Sequence, residues 1–364
     1  MTTYKAELFN NLQTAIELEH STIPPYLATL FTINQDTNAF AYGVIRSVVM
    51  EEMLHMTLAC NILNAVGGTP LIDNPKFIPE YPAEFNFADR KFDVGIIKFS
   101  KPAIEAFLEI EKPSQEQLNV TGEHINSFLH PIDINSKTIG EFYDTIKKQL
   151  VYLVKEYGEE AIFDGEKNLQ ITPKEYTSNS GEVIVVENLK TALFAIDVIV
   201  DQGEGISDSI YDGDNTYFGQ DKEVAHYYRF YEVYVEQQYR EGDHPTKKPT
   251  GKKISINWNA AIDMIANPKA SDFPANSMAR TKADEFNQLY SHFLQLLHLT
   301  FNGQSSLLDK AIAMMYQMKQ LAAELLSCNI PGNEEGKVAG PPFEYIPLAE
   351  RKQFDWLAKE LTSK

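Results

Sequence analysis

Apolar residues recur three and four positions apart along most of this chain, the spacing that places them on one face of an α-helix. The pattern predicts helices at about 5–33, 38–66, 138–157, 187–203 and 222–240. Beyond residue 240 it predicts three further helical segments, at about 257–266, 276–301 and 305–327. The predicted fold class is therefore mainly α, a four-helix bundle with long irregular insertions and a helical C-terminal extension.

Two stretches interrupt the helical pattern, at about 68–135 and 158–186. The first is rich in proline and aromatic residues, and only FDVGIIKFS within it has the character of a strand. The second contains GEVIVV, which could form another strand. Long loops in a compact domain usually serve a function. The polar segment REGDHPTKKPTGKK predicts a boundary between a bundle domain at 1–240 and an extension at 241–364 that packs on it.

Two Glu-x-x-His pairs, Glu52–His55 and Glu223–His226, fall on two of the predicted helices. Residues three apart on a helix share a face, so both side chains of a pair can reach one point. Glu52 and His55 interrupt an otherwise apolar stripe, where burial is costly unless they are paired or bind a metal. The neighbouring Glu51 is out of register with His55. Glu223 has a simpler alternative explanation, because acidic residues are favoured in the first turn of a helix.

Further glutamates are candidates to complete a metal site. Glu19 continues the buried stripe of the first helix, whereas Glu17 continues its polar face. Glu204 ends the acidic stripe of the 187–203 helix, with a rival in Glu141 on the helix before it. Four-helix carboxylate proteins hold two metal ions with two Glu-x-x-His pairs and one Glu from each of two other helices.

We therefore predict six metal ligands: Glu19, Glu52, His55, Glu204, Glu223 and His226. Carboxylates and imidazoles suit iron and manganese, whereas structural zinc favours cysteine. The predicted cofactor is two iron ions, with manganese as the alternative. Tyr26, Asp201 and Arg229 are predicted to line the site or to support its ligands. Pro24 and Pro25, one turn after Glu19, predict a kink that could open a pocket.

Several longer segments resemble a known family. They are IELEHSTIPPYL, EEMLHMTLACNILNAVGGTP, TIGEFY, IVDQGEG, HYYRF and AGPPFEY. Together they resemble the ferritin-like domain family that includes the ferritin-like part of iminophenylpyruvate dimer synthase from violacein biosynthesis. The resemblance implies a ferritin-like bundle and tailoring chemistry in secondary metabolism. That synthase belongs to a much longer polypeptide, so its coupling activity does not transfer directly.

A more distant resemblance is to the manganese catalases. Their first-helix Glu is followed by Ser and Thr much as Glu19 is here, and their second helix carries Glu-Glu-x-x-His as at Glu51–His55. In those enzymes a loop separates the third Glu from the last His, which supports Glu204 with His226. They have no obvious counterpart of Glu223.

The amino-acid composition indicates which kinds of partner are unfavourable and in which cellular compartment the protein is expected. Thirty-two basic against 51 acidic residues give a net charge of −19, which argues against nucleic acid and anionic membranes as partners. No run of about eighteen apolar residues is present, so we expect no membrane span. Only two cysteines occur, and the N-terminus lacks the pattern of a signal peptide. These features predict a cytoplasmic protein.

The predicted function is a non-haem dimetal oxidoreductase that activates oxygen or peroxide, with a small organic molecule as substrate. The first alternative is peroxide dismutation of the manganese catalase type. The second is a metal-binding or storage protein without enzymatic activity, and the third is a scaffold with a degenerate site. The sequence leaves open the substrate, the metal, whether one or two ions bind, and whether the chain forms a homo-oligomer.

Overall fold

A computed structural model describes residues 2–113, 132–133, 136–176, 181–206, 208–333 and 335–352 of the 364-residue chain. The helices are α1 (Thr2–Phe31), α2 (Gln35–Ala65), α3 (Lys101–Ile110), α4 (Ile139–Tyr157), α5 (Glu159–Ile162), α6 (Leu189–Glu204), α7 (Asp214–Tyr217), α8 (His226–Val235), α9 (Met278–Thr300) and α10 (Leu308–Leu325). Short 3₁₀ turns lie at Lys167–Leu169, Trp258–Ala260, Ala270–Asp272, Ser305–Leu307 and Leu348–Glu350. The prediction of a mainly α fold is confirmed.

The four-helix bundle consists of α1, α2, α4 and α6. α1 packs along α2, α4 packs against α1 and α6, and α6 packs back against α2. Local sequence signals set the helix ends, since the Thr138 side chain caps α4 and Asn188 forms a capping box at the start of α6. α1 continues through Pro24 and Pro25 to Phe31.

The helix predicted at about 222–240 is the shorter α8, which packs against α2, α3 and α6 and is not one of the four bundle helices. Residues 223–225 instead pair with 210–212, through a bridge between Tyr211 and Val224 and a hydrogen bond from the Ala225 amide to the Ile210 carbonyl. This pairing keeps the chain extended up to His226. At the other end Glu236 adopts a left-handed conformation with φ of 61°, which stops the helix. Glu223 and His226 therefore do not share a helical face.

The first insertion carries a small sheet and a helix. β1 (Ala83–Phe87) and β2 (Arg90–Val94) form an antiparallel hairpin, and β3 (Ile132–Asp133) pairs parallel to β1, giving the order β2-β1-β3. β2 overlaps only the start of the predicted strand at 92–100. α3 lies between β2 and β3 in the chain and packs on α8.

The second insertion has no strand at 181–186. The Asn61 side chain donates to the carbonyls of Ile171 and Ile184 at 2.8 and 3.0 Å. The Asn61 side chain of α2 therefore provides the hydrogen bonds that these two carbonyls would otherwise need from a neighbouring strand.

Beyond residue 240, α9 and α10 pack together as a helical hairpin, and α10 reaches α1. The predicted helix at 257–266 is reduced to the turn at Trp258–Ala260. Backbone amides of this region donate to other segments and not along a helix. The Asn257 amide donates to the Asn38 side chain, and the Ile262 amide donates to the Thr32 carbonyl. One apolar core continues from the bundle into α9 and α10. Among the described residues, no helix is long and apolar enough to cross a membrane.

Candidate metal centre

Six carboxylate and imidazole side chains converge near the middle of the bundle. Glu19 comes from α1, Glu52 and His55 from α2, Glu111 from the residue that ends α3, Glu204 from the last position of α6, and His226 from the first position of α8. All but His226 line one pocket, with Ile139, Ile199 and Val200 as apolar walls. Its five lining acids and imidazoles therefore come from four separate helices.

The two histidines lie at the centre of this group. Possible ligand atoms of Glu52, His55 and His226 all lie within 4.8 Å of one another. The imidazole rings are nearly parallel, with centroids 5.3 Å apart. Nδ1 of His226 is 3.0 Å from the Glu52 carboxylate and 3.6 Å from that of Glu111, while Nδ1 of His55 is 3.4 Å from Glu19. Both rings therefore turn the same nitrogen toward the carboxylates.

The outer nitrogen of His226 is held by Glu51. Nε2 donates to a Glu51 oxygen at 2.8 Å, and Arg229 donates to the other oxygen at 2.7 Å. Burial alone would raise the pKa of Glu51, but Arg229 and His226 outweigh it and lower that pKa to about 2. Glu51 is therefore an acceptor, and Nε2 of His226 carries a proton. Nδ1 of His226 is buried without a hydrogen bond of good geometry and faces Glu52 and Glu111.

Each of three carboxylates has one oxygen fixed by a hydroxyl. Tyr143 donates to Glu19 at 2.6 Å and Tyr26 to Glu111 at 2.6 Å, while the Thr22 hydroxyl lies 3.0 Å from Glu52 and shares its proton between that oxygen and the Glu19 backbone carbonyl at 2.8 Å. In each case the other oxygen is the one that faces a histidine Nδ1. The hydroxyls therefore leave one oxygen of each acid available toward the pocket.

The electrostatics of the pocket favour bound positive charge. Burial raises the pKa of Glu52 to about 8, with Glu111 and Glu19 adding repulsion. Burial lowers the pKa of His226, but the close carboxylates of Glu111, Glu51 and Glu52 outweigh it and raise that pKa well above its usual value, so that without a cation the ring holds a second proton. Carboxylates buried this closely are costly unless they are paired or bind a cation.

Glu204 lies at the rim of the same pocket. Its carboxylate accepts a hydrogen bond of 2.7 Å from the Gly140 amide, in the first turn of α4. Helix N-termini stabilise negative charge through their free amides and the helix dipole. A Cβ at position 140 would lie 2.7–2.8 Å from the carboxylate atoms, so this approach requires glycine.

The structure does not bring every predicted residue into the pocket. The Glu223 side chain is 55% exposed and pairs with Arg229 at 3.1 Å. The Asp201 carboxylate instead accepts a hydrogen bond from the Tyr217 hydroxyl. Tyr26 and Arg229 do support the cluster, through Glu111 and through Glu51 respectively.

Glu111 is the residue that sequence reasoning missed. It follows the buried positions Ile104, Phe107 and Ile110 of α3 and is itself 4% exposed. The period of three and four over 103–111 was the available signal, but it lies within a stretch interpreted as irregular. Its place on the apolar stripe is the same argument that singled out Glu19.

The donor set of these residues fits two metal ions. Four carboxylates (Glu19, Glu52, Glu111 and Glu204) and two imidazoles (His55 and His226) offer oxygen and nitrogen ligands that suit iron or manganese. The buried, unbonded Nδ1 of His226 is the clearest single indication of an intended ligand. Metal-binding histidines commonly donate their other nitrogen to a carboxylate, as His226 does to Glu51.

The ferritin-like family model matches residues 12–235. The match covers more than half of the chain and includes all six residues that converge on the pocket. The chain therefore belongs to the ferritin-like family.

Two known proteins are similar to this chain over most of its length. The chain is 24% identical over 348 residues to dichlorochromopyrrolate synthase of Lentzea aerocolonigenes. This match covers 87% of the chain but only 31% of that synthase. A crystal structure of a ferritin-like protein from Caulobacter vibrioides superposes with a TM-score of 0.54 at 21% identity, covering 87% of this chain and 96% of that one. The second likeness shows the fold alone.

Proposed function

We propose that the protein is a non-haem dimetal oxidoreductase of secondary metabolism. It would bind two iron ions, or two manganese ions, and use oxygen or peroxide to oxidise a small organic molecule. The similarity to dichlorochromopyrrolate synthase supports the class of pathway. The chain spans less than a third of that relative, so the substrate and the complete reaction are part of the proposal.

The observation that carries the proposal is the convergence of four carboxylates with two inward-facing Nδ1 atoms. We infer that Glu19, Glu52, Glu111, Glu204, His55 and His226 are the metal ligands. Glu111 takes the role that the sequence pattern suggested for Glu223. This set has the composition that four-helix dimetal proteins use, four Glu and two His.

The bound metals would supply the electrons for oxygen or peroxide reduction. The residues around them orient the ligands and limit access. Tyr143 and Thr22 fix one oxygen each of Glu19 and Glu52, which directs the other oxygen inward. Tyr26 does the same for Glu111, and its buried hydroxyl keeps its proton because burial and the charge of Glu111 raise its pKa well above the usual value.

The first experiment is metal analysis of the protein produced with iron or with manganese. Wild type is expected to hold about two ions per chain, and His55→Ala to lose one or both. His292→Ala is the matched control, because His292 of α9 is also buried but contacts the Lys352 carbonyl and not the candidate centre. Equal metal content in wild type and His55→Ala would contradict the proposal, and one ion in wild type would replace the dinuclear centre by a mononuclear one.

The second experiment separates the enzymatic alternatives. Peroxide dismutation of the manganese catalase type has support in the burial of the cluster, where Glu19, Glu52 and His55 are each at most 3% exposed. A site of this kind suits a substrate as small as hydrogen peroxide. Steady oxygen release from peroxide by manganese-loaded protein would select dismutation. Oxygen uptake that depends on an added organic substrate would select the oxidase.

A further inference from the structure

Both histidines of the candidate centre connect to one short segment, Asp212–Asp214, through their outer nitrogens. The segment lies between α6 and α8 and begins α7. Asp212 is 2% exposed and Asp214 is 6% exposed. Two carboxylates buried within three residues need partners, and those partners lead to the two imidazoles.

The connection to His55 runs through Gln202 of α6. Nε2 of His55 lies 2.8 Å from the Gln202 amide oxygen, and the Gln202 amide nitrogen donates to Asp214 at 2.7 Å. The reverse orientation of Gln202 would press its oxygen against a carboxylate oxygen. Asp214 therefore sets the direction of the amide, and the amide oxygen requires a proton on Nε2 of His55. Nδ1 is then the nitrogen that faces Glu19.

The connection to His226 runs through Arg229 and Glu51. Asp212 accepts from one Arg229 nitrogen at 3.1 Å, and the other Arg229 nitrogen donates to Glu51 at 2.7 Å. Glu51 in turn accepts from Nε2 of His226 at 2.8 Å. As at His55, the outer nitrogen carries a proton and Nδ1 is the nitrogen that faces the pocket.

The segment itself is built to hold both carboxylates in fixed positions. The Asp214 amide donates to the Asp212 side chain at 3.2 Å. Gly213 between them is left-handed, with φ of 83°, and a Cβ there would lie 2.9 Å from Ile206 and Tyr217. Only glycine fits this turn without strain.

We propose that the Asp212–Asp214 segment positions both metal-binding histidines and fixes which nitrogen each presents. Asp214 acts on His55 through Gln202, and Asp212 acts on His226 through Arg229 and Glu51. The two aspartates are positioning residues, not ligands. The inference rests on the proposed metal centre for its consequence, but the hydrogen-bond arrangement can be tested without metal.

The test without metal uses nuclear magnetic resonance of the metal-free protein labelled with ¹⁵N-histidine. In wild type, the Nε2 protons of His55 and His226 are expected as protected, hydrogen-bonded signals. Asp214→Asn and Gln202→Met should shift the His55 signal and leave that of His226, and Asp212→Asn should do the reverse. Asp243→Asn is the control, since Asp243 binds only the local turn at Arg240 and Thr250. Unchanged histidine signals in all three variants would overturn the inference.

The second readout is metal affinity by calorimetric titration with Mn²⁺. Loss of a group that orients a histidine ligand typically weakens metal binding about 10- to 100-fold. We expect such a loss at one site in Asp214→Asn and at the other in Asp212→Asn. In the Gln202→Met background, Asp214→Asn should have no further effect, because it acts through Gln202. Full additivity of the two changes would contradict that path.

The two readouts separate the two proposals. If the histidine signals respond as expected but wild type binds no metal, the positioning role stands and the dimetal function fails. If wild type binds two ions but the signals and affinities of the Asp variants match wild type, the function stands and the positioning role fails.

Discussion

The two Glu-x-x-His pairs are identical as sequence patterns and differ completely in the structure. Glu52 and His55 lie in the middle of α2, and both side chains reach the same pocket. In the second pair only His226 reaches the cluster, as the first residue of α8, while Glu223 belongs to the extended segment before it and faces solvent. A spacing of three places two residues together only when the backbone between them is helical.

What replaces the missing half of the second pair comes from a different part of the chain. Glu111 ends α3, which packs on α8, and its carboxylate lies 3.6 Å from His226. Glu223 instead pairs with Arg229, which supports His226 through Glu51. Glu111 therefore lies in the pocket without belonging to a Glu-x-x-His pair, whereas Glu223 belongs to such a pair and lies outside the pocket.

The largest expected effect distinguishes Glu111 from Glu223. Glu111→Gln should lose about one metal ion per chain and lower turnover by roughly 100-fold or more, as expected for loss of a ligand. Glu223→Gln removes only a half-exposed ion pair and should change either quantity by no more than a few-fold. Metal analysis and turnover measured on both variants check this. The opposite order would restore Glu223 as the ligand.

The next effect concerns Arg229, which pairs with both Glu51 and Glu223. Arg229→Met removes the main partner of buried Glu51 and of Asp212, and an uncompensated buried charge of this kind costs about 3–5 kcal/mol. We expect this loss in chemical unfolding of the metal-free protein. Arg280→Met, which breaks a partly exposed pair with Asp284 on α9, should cost less than about 1 kcal/mol. Similar losses of stability in both variants would mean that the buried ion pairs of Arg229 contribute no more than a partly exposed pair.

A smaller effect tests the position of Glu204. Gly140→Ala places a methyl group 2.7–2.8 Å from the Glu204 carboxylate and must displace it. We expect metal affinity to fall about tenfold, measured by titration with Mn²⁺. Gly43→Ala on α2 is the control, because a Cβ there meets no atom within 4 Å. Unchanged affinity in Gly140→Ala would remove Glu204 from the ligand set.

The smallest effect is a pH dependence on α8. Burial raises the pKa of Glu232 to about 7, against hydrogen bonding from the Tyr239 amide and the charge of Arg229. The folded state then binds a proton more tightly than the unfolded state, so this stabilisation is complete below the ordinary pKa of Glu and is lost as pH rises through about 7. Glu232→Gln keeps an oxygen for the Tyr239 amide and removes the titration.

The measurement is the free energy of unfolding of metal-free wild type and Glu232→Gln at pH 5 and pH 8. The advantage of the variant should grow between these values by on the order of 1–2 kcal/mol. Glu51 is the contrast, since Arg229 and His226 hold its pKa at about 2 and its charge is unchanged over this range. A constant difference between wild type and Glu232→Gln would contradict the raised pKa.

The sequence by itself determined the helical fold and indicated five of the six side chains that converge on the pocket. Periodicity placed α1, α2, α4, α6, α9 and α10 to within a few residues, because amphipathic helices bury one continuous stripe. The same periodicity placed Glu19, Glu52 and His55 in the pocket, since a ligand within a long helix inherits its direction from the helix. His226 and Glu204 also reached the site, although each lies at a helix end.

Only the tertiary structure decided the sixth residue, with Glu111 in the pocket and Glu223 outside it. Residues 223–225 pair with 210–212, so α8 begins only at His226 and Glu223 lies outside the helix. The local sequence pattern does not contain this pairing. The packing of α3 on α8 brings in Glu111, which lies 115 residues before its neighbour His226. The buried connections of Asp212 and Asp214 to the two histidines likewise join α2, α6 and α8. Helical direction is set locally, but convergence of side chains from separate segments depends on how those segments pack.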